Sequence, residues 1–324
     1  MMGVSAGTAH VLGLKQLSVE TPPTTAYLMV GRNCIYNCSF CPQAAGSSSS
    51  ANMLSRVSWP RYPLEDVVKA LVAAHDLGKI HRACIQVVHS PDYWEELLRA
   101  VSAIRRATPM ALSVSTVITN VEQAEMLFHA GVDRISLALD AANKELFEKV
   151  KNRSWERTWG LLETLAGKYR GKIATHIIAG LGEKEKDVIH MIQKCKDLNI
   201  TVGLFAFTPV RGTAMEGRPG PDLSPYRRLQ IARHLIIGGH GREGDFTFNG
   251  RGEIINFGMD EAALHRLLED GNAFRTSGCA HCNRPNYNER PGKQPYNFPR
   301  PLKQKETTNA ATTGTDSLVD PAVI

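Results

Sequence analysis

The chain has 324 residues, 43% hydrophobic and 22% charged, with a formal net charge of +6. This is a globular composition: no apolar run approaches the roughly 18–20 residues of a membrane span, and no basic stripe with interleaved aromatics marks a nucleic-acid reader. Seven cysteines at uneven spacing argue against a disulfide framework, and the N-terminus carries no signal-peptide pattern, so a cytoplasmic protein is expected.

Residues 1–24 read as an N-terminal extension. Strand and helix patterns then alternate from 25 to 278. "AYLMVG" (26–31) is a short apolar strand, and "SSSSANML" (47–54) a flexible low-complexity loop. Leu64, Val67, Val68, Leu71 and Val72 form one apolar helix face that Gly78 can cap. "ACIQVV" (83–88), "ALSVSTV" (111–117), "RISLAL" (134–139), "KIATHIIAG" (172–180) and "ITVGLFAF" (200–207) are further strands, with amphipathic helices between them. Asn120 caps one helix, with Gln123 at the far end of a capping box, and Ser224-Pro225 opens another by placing Pro at its first position. "DFTFNG" (245–250) and "NAFRTSG" (272–278) supply strands seven and eight.

Eight such units predict an α/β fold, a parallel (βα)8 TIM-type barrel, with a partial six-strand barrel as the alternative because the last two strands are short. Either places a site at the C-terminal strand ends. Residues 279–302 form a separate segment in which 285–302, rich in Pro, Asn and aromatics, reads as an ordered irregular cap, and 303–324 read as a disordered tail.

The chemistry-bearing stretch is "GRNCIYNCSFCPQ" (31–43), where Cys34, Cys38 and Cys41 have the spacing C-x3-C-x2-C in the loop after the first strand. Thiolates are the usual ligands of iron–sulfur clusters, and three of them leave one iron of a [4Fe–4S] cube open. A zinc knuckle would bring a nearby His or a second pair to close its tetrahedron, and none is close in sequence.

This motif resembles the signature of the radical S-adenosylmethionine superfamily. The resemblance implies a barrel whose open iron chelates S-adenosylmethionine and generates a 5′-deoxyadenosyl radical that abstracts hydrogen from an unactivated C–H bond. It also implies cofactor-binding residues: Phe40 against the adenine, the "IIAGLGE" glycines Gly180 and Gly182 near it, and Phe207, Thr208, Pro209 and Val210 lining its pocket. By similarity to biotin synthase, Asp140 meets the ribose hydroxyls and Arg157 the cofactor carboxylate. Without the resemblance, Asp140 and Arg157 read as salt-bridge or cap residues, the glycines as a turn, and the aromatic stretch as barrel packing.

Cys195 lies on the apolar stripe of a helix and reads as core. Cys84, inside a strand, matches a biotin synthase cysteine that ligates a second cluster. Cys279 and Cys282, in "SGCAHC" after the eighth strand, are expected beside the first two strands at the catalytic end. There Cys84, Cys279 and Cys282 can hold an auxiliary [4Fe–4S] cluster, with His281 or Ser277 as candidates for a fourth ligand. Two further strand cysteines of biotin synthase have no counterpart here. "TSGCAHCNRPNYNERPGKQPYNFPRP" instead resembles one component of the two-protein, archaeal-type lipoyl synthase. That resemblance implies a sulfurtransferase of lipoate biosynthesis, moving sulfur from the auxiliary cluster into an octanoyl chain on a lysine of an acidic carrier protein. It also implies a companion lipoyl synthase component and an electron donor such as ferredoxin or flavodoxin. Arg284, Asn288, Glu289 and Arg290 are candidates to fix the substrate or shield the second cluster. The competing readings are a biotin-like or other radical reaction with a structural second cluster, and a zinc-binding interaction protein.

Overall fold

The computed structural model describes residues 1–288, 292–316 and 318. In chain order the elements are β1 (Met2–Val4), α1 (Ala6–Val11), β2 (Thr25–Val30), β3 (Met53–Leu54), β4 (Val57–Ser58), β5 (Arg61–Tyr62), α2 (Leu64–Asp76), β6 (Arg82–Val87), α3 (Tyr93–Ala107), β7 (Ala111–Ser115), α4 (Val121–His129), β8 (Arg134–Ser136), α5 (Lys144–Lys151), α6 (Trp155–Lys168), β9 (Ile173–Ala179), α7 (Glu185–Asp197), β10 (Thr201–Ala206), α8 (Leu223–Gly238), β11 (Thr247–Phe248), β12 (Ile254–Asn256), α9 (Glu261–Leu268) and α10 (Gln304–Thr315). The central sheet has eight strands in the order β10-β9-β8-β7-β6-β2-β1-β5. From β2 to β10 all pairs are parallel, while β1 and β5 add antiparallel to the β2 edge. The fold is therefore α/β and TIM-like, with the six-stranded parallel arc of the alternative expectation.

The last two strands of the eight come from elsewhere than expected. Thr247–Phe248 pairs with β12 in a separate two-stranded sheet, and 272–274 form a 3₁₀ turn. The extension 1–24 instead supplies β1. The open seam between β10 and β2 is filled by residues 277–288. Leu204 N donates to Ser277 Oγ (2.8 Å) and Asn288 Nδ2 donates to the Ala206 carbonyl (2.5 Å) on the β10 side. On the β2 side, the Thr24 and Thr25 hydroxyls donate to the His281 carbonyl (2.8 and 2.7 Å). His281, Arg284 and Asn286 all have positive φ, so this segment bends instead of extending as a strand.

Strand alternation divides the side chains by face. Ala26, Leu28, Ile85, Leu112, Val114, Ile135, Ile177 and Val202 pack outward under the helices in one buried core. The inward face is mostly polar: Arg82, Cys84 and Gln86 on β6, Ser113 and Ser115 on β7, Arg134 on β8, His176 on β9. A closed TIM barrel fills its interior with branched apolar residues; this bore is built to hold something.

Of the local signals, the Asn120 cap and the Gly78 terminus hold, and three others differ. Asn120 Oδ1 accepts from Gln123 N (3.0 Å), while Gln123 Oε1 reaches back to Thr119 N (2.8 Å), one residue before the cap. Gly78 takes φ 65 after α2. Pro225 lies at the third position of α8, because Asp222 is the N-cap. The serine-rich loop is pinned, with Ser48 N donating to the Gly212 carbonyl (2.9 Å). The tail is helical over 304–315 instead of disordered, docked on α8 through Thr307, Ala310, Ala311 and Gly314. A Cβ at Gly314 would sit 2.6 Å from Ile231 Cδ1, so this close packing uses small residues that carry no hydrophobic pattern.

Candidate functional site

The cysteine loop leaves β2 through Gly31, whose φ is 77 and where a Cβ would lie 1.9 Å from the Val88 carbonyl oxygen. Only glycine fits so close an approach. Gln43, the last residue of the quoted stretch, organises the loop. Its carbonyl accepts from Cys34 N (2.9 Å), its Oε1 from Asn33 N (3.2 Å), and its Nε2 donates to the carbonyls of Ala51 and Met53 (2.8 and 2.6 Å). Cys34, Cys38 and Cys41 are thereby turned into one cavity of about 230 Å³ at the C-terminal strand ends. Burial pushes the Cys41 thiol up to about 12, and the neighbouring Cys38 and Cys34 add to it. Cys38 is raised by burial too, with Lys151 and Arg153 pulling the other way. Three thiols beside two cations form a donor set that suits an anionic cluster. Loading it must release the thiol protons.

Among the described residues, no three His, Cys, Asp or Glu side chains are drawn tightly enough together to hold one metal ion. A cube of four irons, each thiolate binding a different iron, does not need its ligands to converge on a point.

Beside this loop lies a buried charge chain. Asp140 pairs with Lys151 and, at 3.1 Å, with His176 Nε2; the Asp140 and Lys151 side chains are each 6% exposed. Burial alone would raise Asp140, but Lys151 and His176 outweigh it and hold the carboxyl well below the usual range. Lys151 Nζ also lies 5.8 Å from the Phe40 ring centroid. Asp140 has φ 62, a left-handed backbone that Asn also tolerates. Asp140→Asn therefore isolates the charge, and it leaves Lys151 buried and unpaired. Urea unfolding should show a loss of roughly 3–5 kcal/mol. Because the folded value is depressed, the pair's contribution is complete above about pH 4 and is lost as pH falls through the folded value. That acid-side loss should be missing from the variant.

Of the expected cofactor residues, Phe40, Asp140, Phe207 and Thr208 line this cavity, whereas Arg157, Gly180, Gly182, Pro209 and Val210 are not among its lining. Arg157 is exposed on α6, because its position follows the Ser154 cap on the outer face. Arg153, four residues earlier, takes the place facing the cavity, its guanidinium carbon 4.9 Å from the Tyr36 ring centroid. Gly180 and Gly182 serve a turn: their N–H groups donate to the Glu183 carboxylate (2.5 and 2.9 Å), and φ is 103 and 132. Pro209 is exposed, and the Val210 carbonyl caps Thr213. Sequence reasoning did not single out His89, whose Nε2 meets Thr116 Oγ1 (3.1 Å) and accepts from Val117 N (3.0 Å), and whose pKa burial lowers to about 4. It also missed Lys151 and His176. A lysine closing a helix and a histidine in a strand give no pattern until the fold joins them.

Cys84, Cys279 and Cys282 do come together, but at the other end of the bore. They line a second cavity with Thr25, Arg82, Arg134 and Thr201, residues at the N-terminal ends of the parallel strands. The expectation of the catalytic end fails because residues 277–288 climb the seam from below. Burial pushes Cys84 up to about 12, with Cys279 and Cys282 adding and Arg284 opposing. Gln86 Nε2 donates to Cys84 Sγ (3.0 Å), and Tyr27 Oη lies 3.5 Å from Cys282 Sγ. Three guanidiniums, of Arg82, Arg134 and Arg284, surround the thiols, and none of the described lining residues is acidic. Arg82 Nε and Arg284 Nε are buried with no hydrogen-bond partner. This set suits an anionic guest. The cavity is about 50 Å³, room for a few waters, and a larger guest would press on the Cys279–Cys282 loop.

Arg284 sits between the cavities, 5.3, 5.0 and 4.9 Å from the ring centroids of Tyr27, Phe205 and Tyr287. With Ser115, His176 and Phe205 it lines both, forming the partition. Asn288 faces the upper cavity; Glu289 and Arg290 lie outside the described residues. Ser277 lines the lower cavity but is bound to Leu204 N, and His281 is exposed and tilted against His81, ring centroids 4.5 Å apart, lining the outer groove and not the lower cavity. Cys195 is buried in the core.

Residues 28–195 match the family model described as the Radical SAM superfamily. A biotin synthase of Persephonella marina is 26% identical over 202 residues, 61% of this chain and 57% of that protein. A biotin synthase of Geotalea uraniireducens is 30% identical over 206 residues, 61% of this chain and 59% of that protein. The chain thus spans less than two thirds of the length of these curated relatives. Among solved structures, methylornithine synthase superposes with a TM-score of 0.54 at 14% identity, covering 72% of this chain and 77% of that one, a likeness of fold.

Proposed function

The chain belongs to the radical SAM superfamily, and from that premise we propose that it is a sulfur-inserting enzyme acting on a protein-bound octanoyl chain, one component of a two-protein lipoyl synthase. In this reading Cys34, Cys38 and Cys41 hold a [4Fe–4S] cluster with S-adenosylmethionine, and Cys84, Cys279 and Cys282 hold an auxiliary cluster as the sulfur source. The first supplies, when bound, an adenosyl radical able to take hydrogen from an unactivated C–H bond. The single observation that carries the reading is the pair of thiol triads at opposite ends of one bore, with a common partition of Ser115, His176, Phe205 and Arg284.

The chain's own residues take the following parts. Phe40, Phe207 and Ile178 give the upper cavity apolar walls that exclude water from a reactive radical. Arg153 and Lys151, the cations beside the cysteine loop, take over the carboxylate-binding role first expected of Arg157. Asp140 keeps lone pairs for a hydroxyl donor even while paired with Lys151 and His176. Tyr287 Oη, buried with no partner, is a donor waiting for a polar group of the guest. The biotin-like reading is favoured by the names of the relatives, and it stands as the competing outcome.

The test is anaerobic. The protein is combined with S-adenosylmethionine, a reductant and an octanoyl-lysyl peptide, with and without a companion synthase, and the products are weighed. The expected result is 5′-deoxyadenosine together with a peptide heavier by sulfur. Absence of any sulfur-containing peptide under both conditions counts against lipoylation, and formation of biotin from its sulfur-free precursor in a parallel reaction would transfer the function to the competing reading.

A further inference from the structure

Cys279 and Cys282 do not face only inward. Both also line a groove of about 580 Å³ on the outside of the N-terminal face of the barrel. Its walls come from the segment before β2, from the 272–276 turn and from the 299–301 stretch. The inner thiols therefore have two neighbours: the radical cavity above, across the partition, and solvent below, through the loop that carries two of them.

The two routes differ in resistance. Upward, the path is blocked by Arg284, caged among Tyr27, Phe205 and Tyr287. Downward, among the described residues, the Cys279–Cys282 turn intervenes, closed by Cys282 N donating to the Cys279 carbonyl (3.0 Å). That turn hangs from β2 by the Thr24 and Thr25 hydroxyls on the His281 carbonyl. Two guanidiniums, of Arg275 and Arg300, line the groove together with the rings of His81 and His281, and none of its described lining residues is acidic. Arg300 is neutralised by Glu306 at 2.8 Å, whereas the Arg275 side chain meets a neutral partner, Asn272 Oδ1, at 3.2 Å. The guanidiniums of Arg82 and Arg134 continue the positive lining inside.

We propose that this groove is a binding site and entry port for hydrosulfide, by which sulfur reaches Cys279 and Cys282 without crossing the radical cavity. The proposal rests on the reading of the inner thiols as a sulfur source: each sulfur inserted into substrate leaves the site, so a class of reaction that liberates sulfide must resupply it. A port on the far face lets resupply proceed while the upper cavity is filled by cofactor and substrate. The positive lining concentrates a small anion at the thiols, by a field that salt weakens.

The probes are two methanethiosulfonates of similar size, one sulfonated and one carrying a trimethylammonium group. Each transfers its thiol half to a cysteine, forming one S–S bond and releasing methanesulfinate. The full-length metal-free chain is treated anaerobically, with circular dichroism and the melting transition as folding controls, and modification of each cysteine is timed by peptide mass spectrometry. Cys279 and Cys282 should react at least about tenfold faster than Cys195, and faster with the anionic reagent than with the cationic one. Hydrosulfide attacks the reagents directly, so competition is read with azide, an inert monovalent anion, which should slow the anionic reagent at Cys279 and Cys282 more than at Cys34, Cys38 and Cys41. Arg275→Glu should reverse the charge preference at Cys279 and Cys282 and leave Cys34, Cys38 and Cys41 unchanged. Inner thiols as unreactive as Cys195, or a charge preference that Arg275→Glu does not move, would overturn the port. The iron content of the reconstituted protein is read separately: if it shows no second cluster while the port behaves as stated, the sulfur-source reading fails and the entry route stands.

Discussion

Replacing Cys34, Cys38 and Cys41 together with alanine should abolish reductive cleavage of S-adenosylmethionine, with 5′-deoxyadenosine falling below detection. The three thiols are half-buried on a loop whose course is set by Gly31 and by the Gln43 hydrogen bonds, not by the cysteines themselves. The barrel core is on the opposite face of the strands, so the variant should keep its circular dichroism and its melting transition. The observable is the amount of 5′-deoxyadenosine formed anaerobically with a strong reductant, alongside the brown colour of the reconstituted protein. Retained cleavage would sink the assignment of these residues. A colourless wild-type protein with bound zinc, which has a filled d shell, would revive the interaction-protein reading.

The second large effect separates the two ends of the bore. Alanine at Cys84, Cys279 and Cys282 should lower iron and sulfide by about one cluster, roughly four irons per chain, while cleavage of S-adenosylmethionine survives. The separation is expected because the triads line different cavities and meet only across the partition at Ser115, His176, Phe205 and Arg284. Chemical iron and sulfide determination, with the cleavage assay on the same sample, decides it. If the triple variant binds its full complement of iron, the auxiliary site does not exist as drawn.

The six parallel strands were legible because each is a compact apolar run between helices, and the structure moves their ends by at most three residues. The upper thiols were legible for a local reason: three ligands on one short loop need no knowledge of the fold. The lower site was legible only as a list of cysteines. Its placement depends on residues 277–288 ascending the seam, and nothing in "SGCAHCNRPNYN" says which way that segment runs. The misplacement of Arg157 has a different origin. Arg153 and Arg157 are one helical turn apart by number, but Ser154 starts the helix between them, so only the earlier one faces the loop. The charge chain of Asp140, Lys151 and His176 joins three elements, and no sequence period marks such a convergence. The docked tail escaped because its buried face is made of alanine, threonine and glycine.

The seam between β10 and β2 also bears on how the molecule is made. A chain emerges from the ribosome N-terminus first, and its early parts begin to fold before its end exists. The six parallel strands can therefore assemble as an open trough, with Cys84 already in place and its two partners not yet synthesised. The segment that closes the trough is the one that delivers Cys279 and Cys282. Closure of the wall and completion of the inner ligand set are thus one event, late in biogenesis, and whatever is too large for the closed cavity must enter before it or through the turn that shuts it.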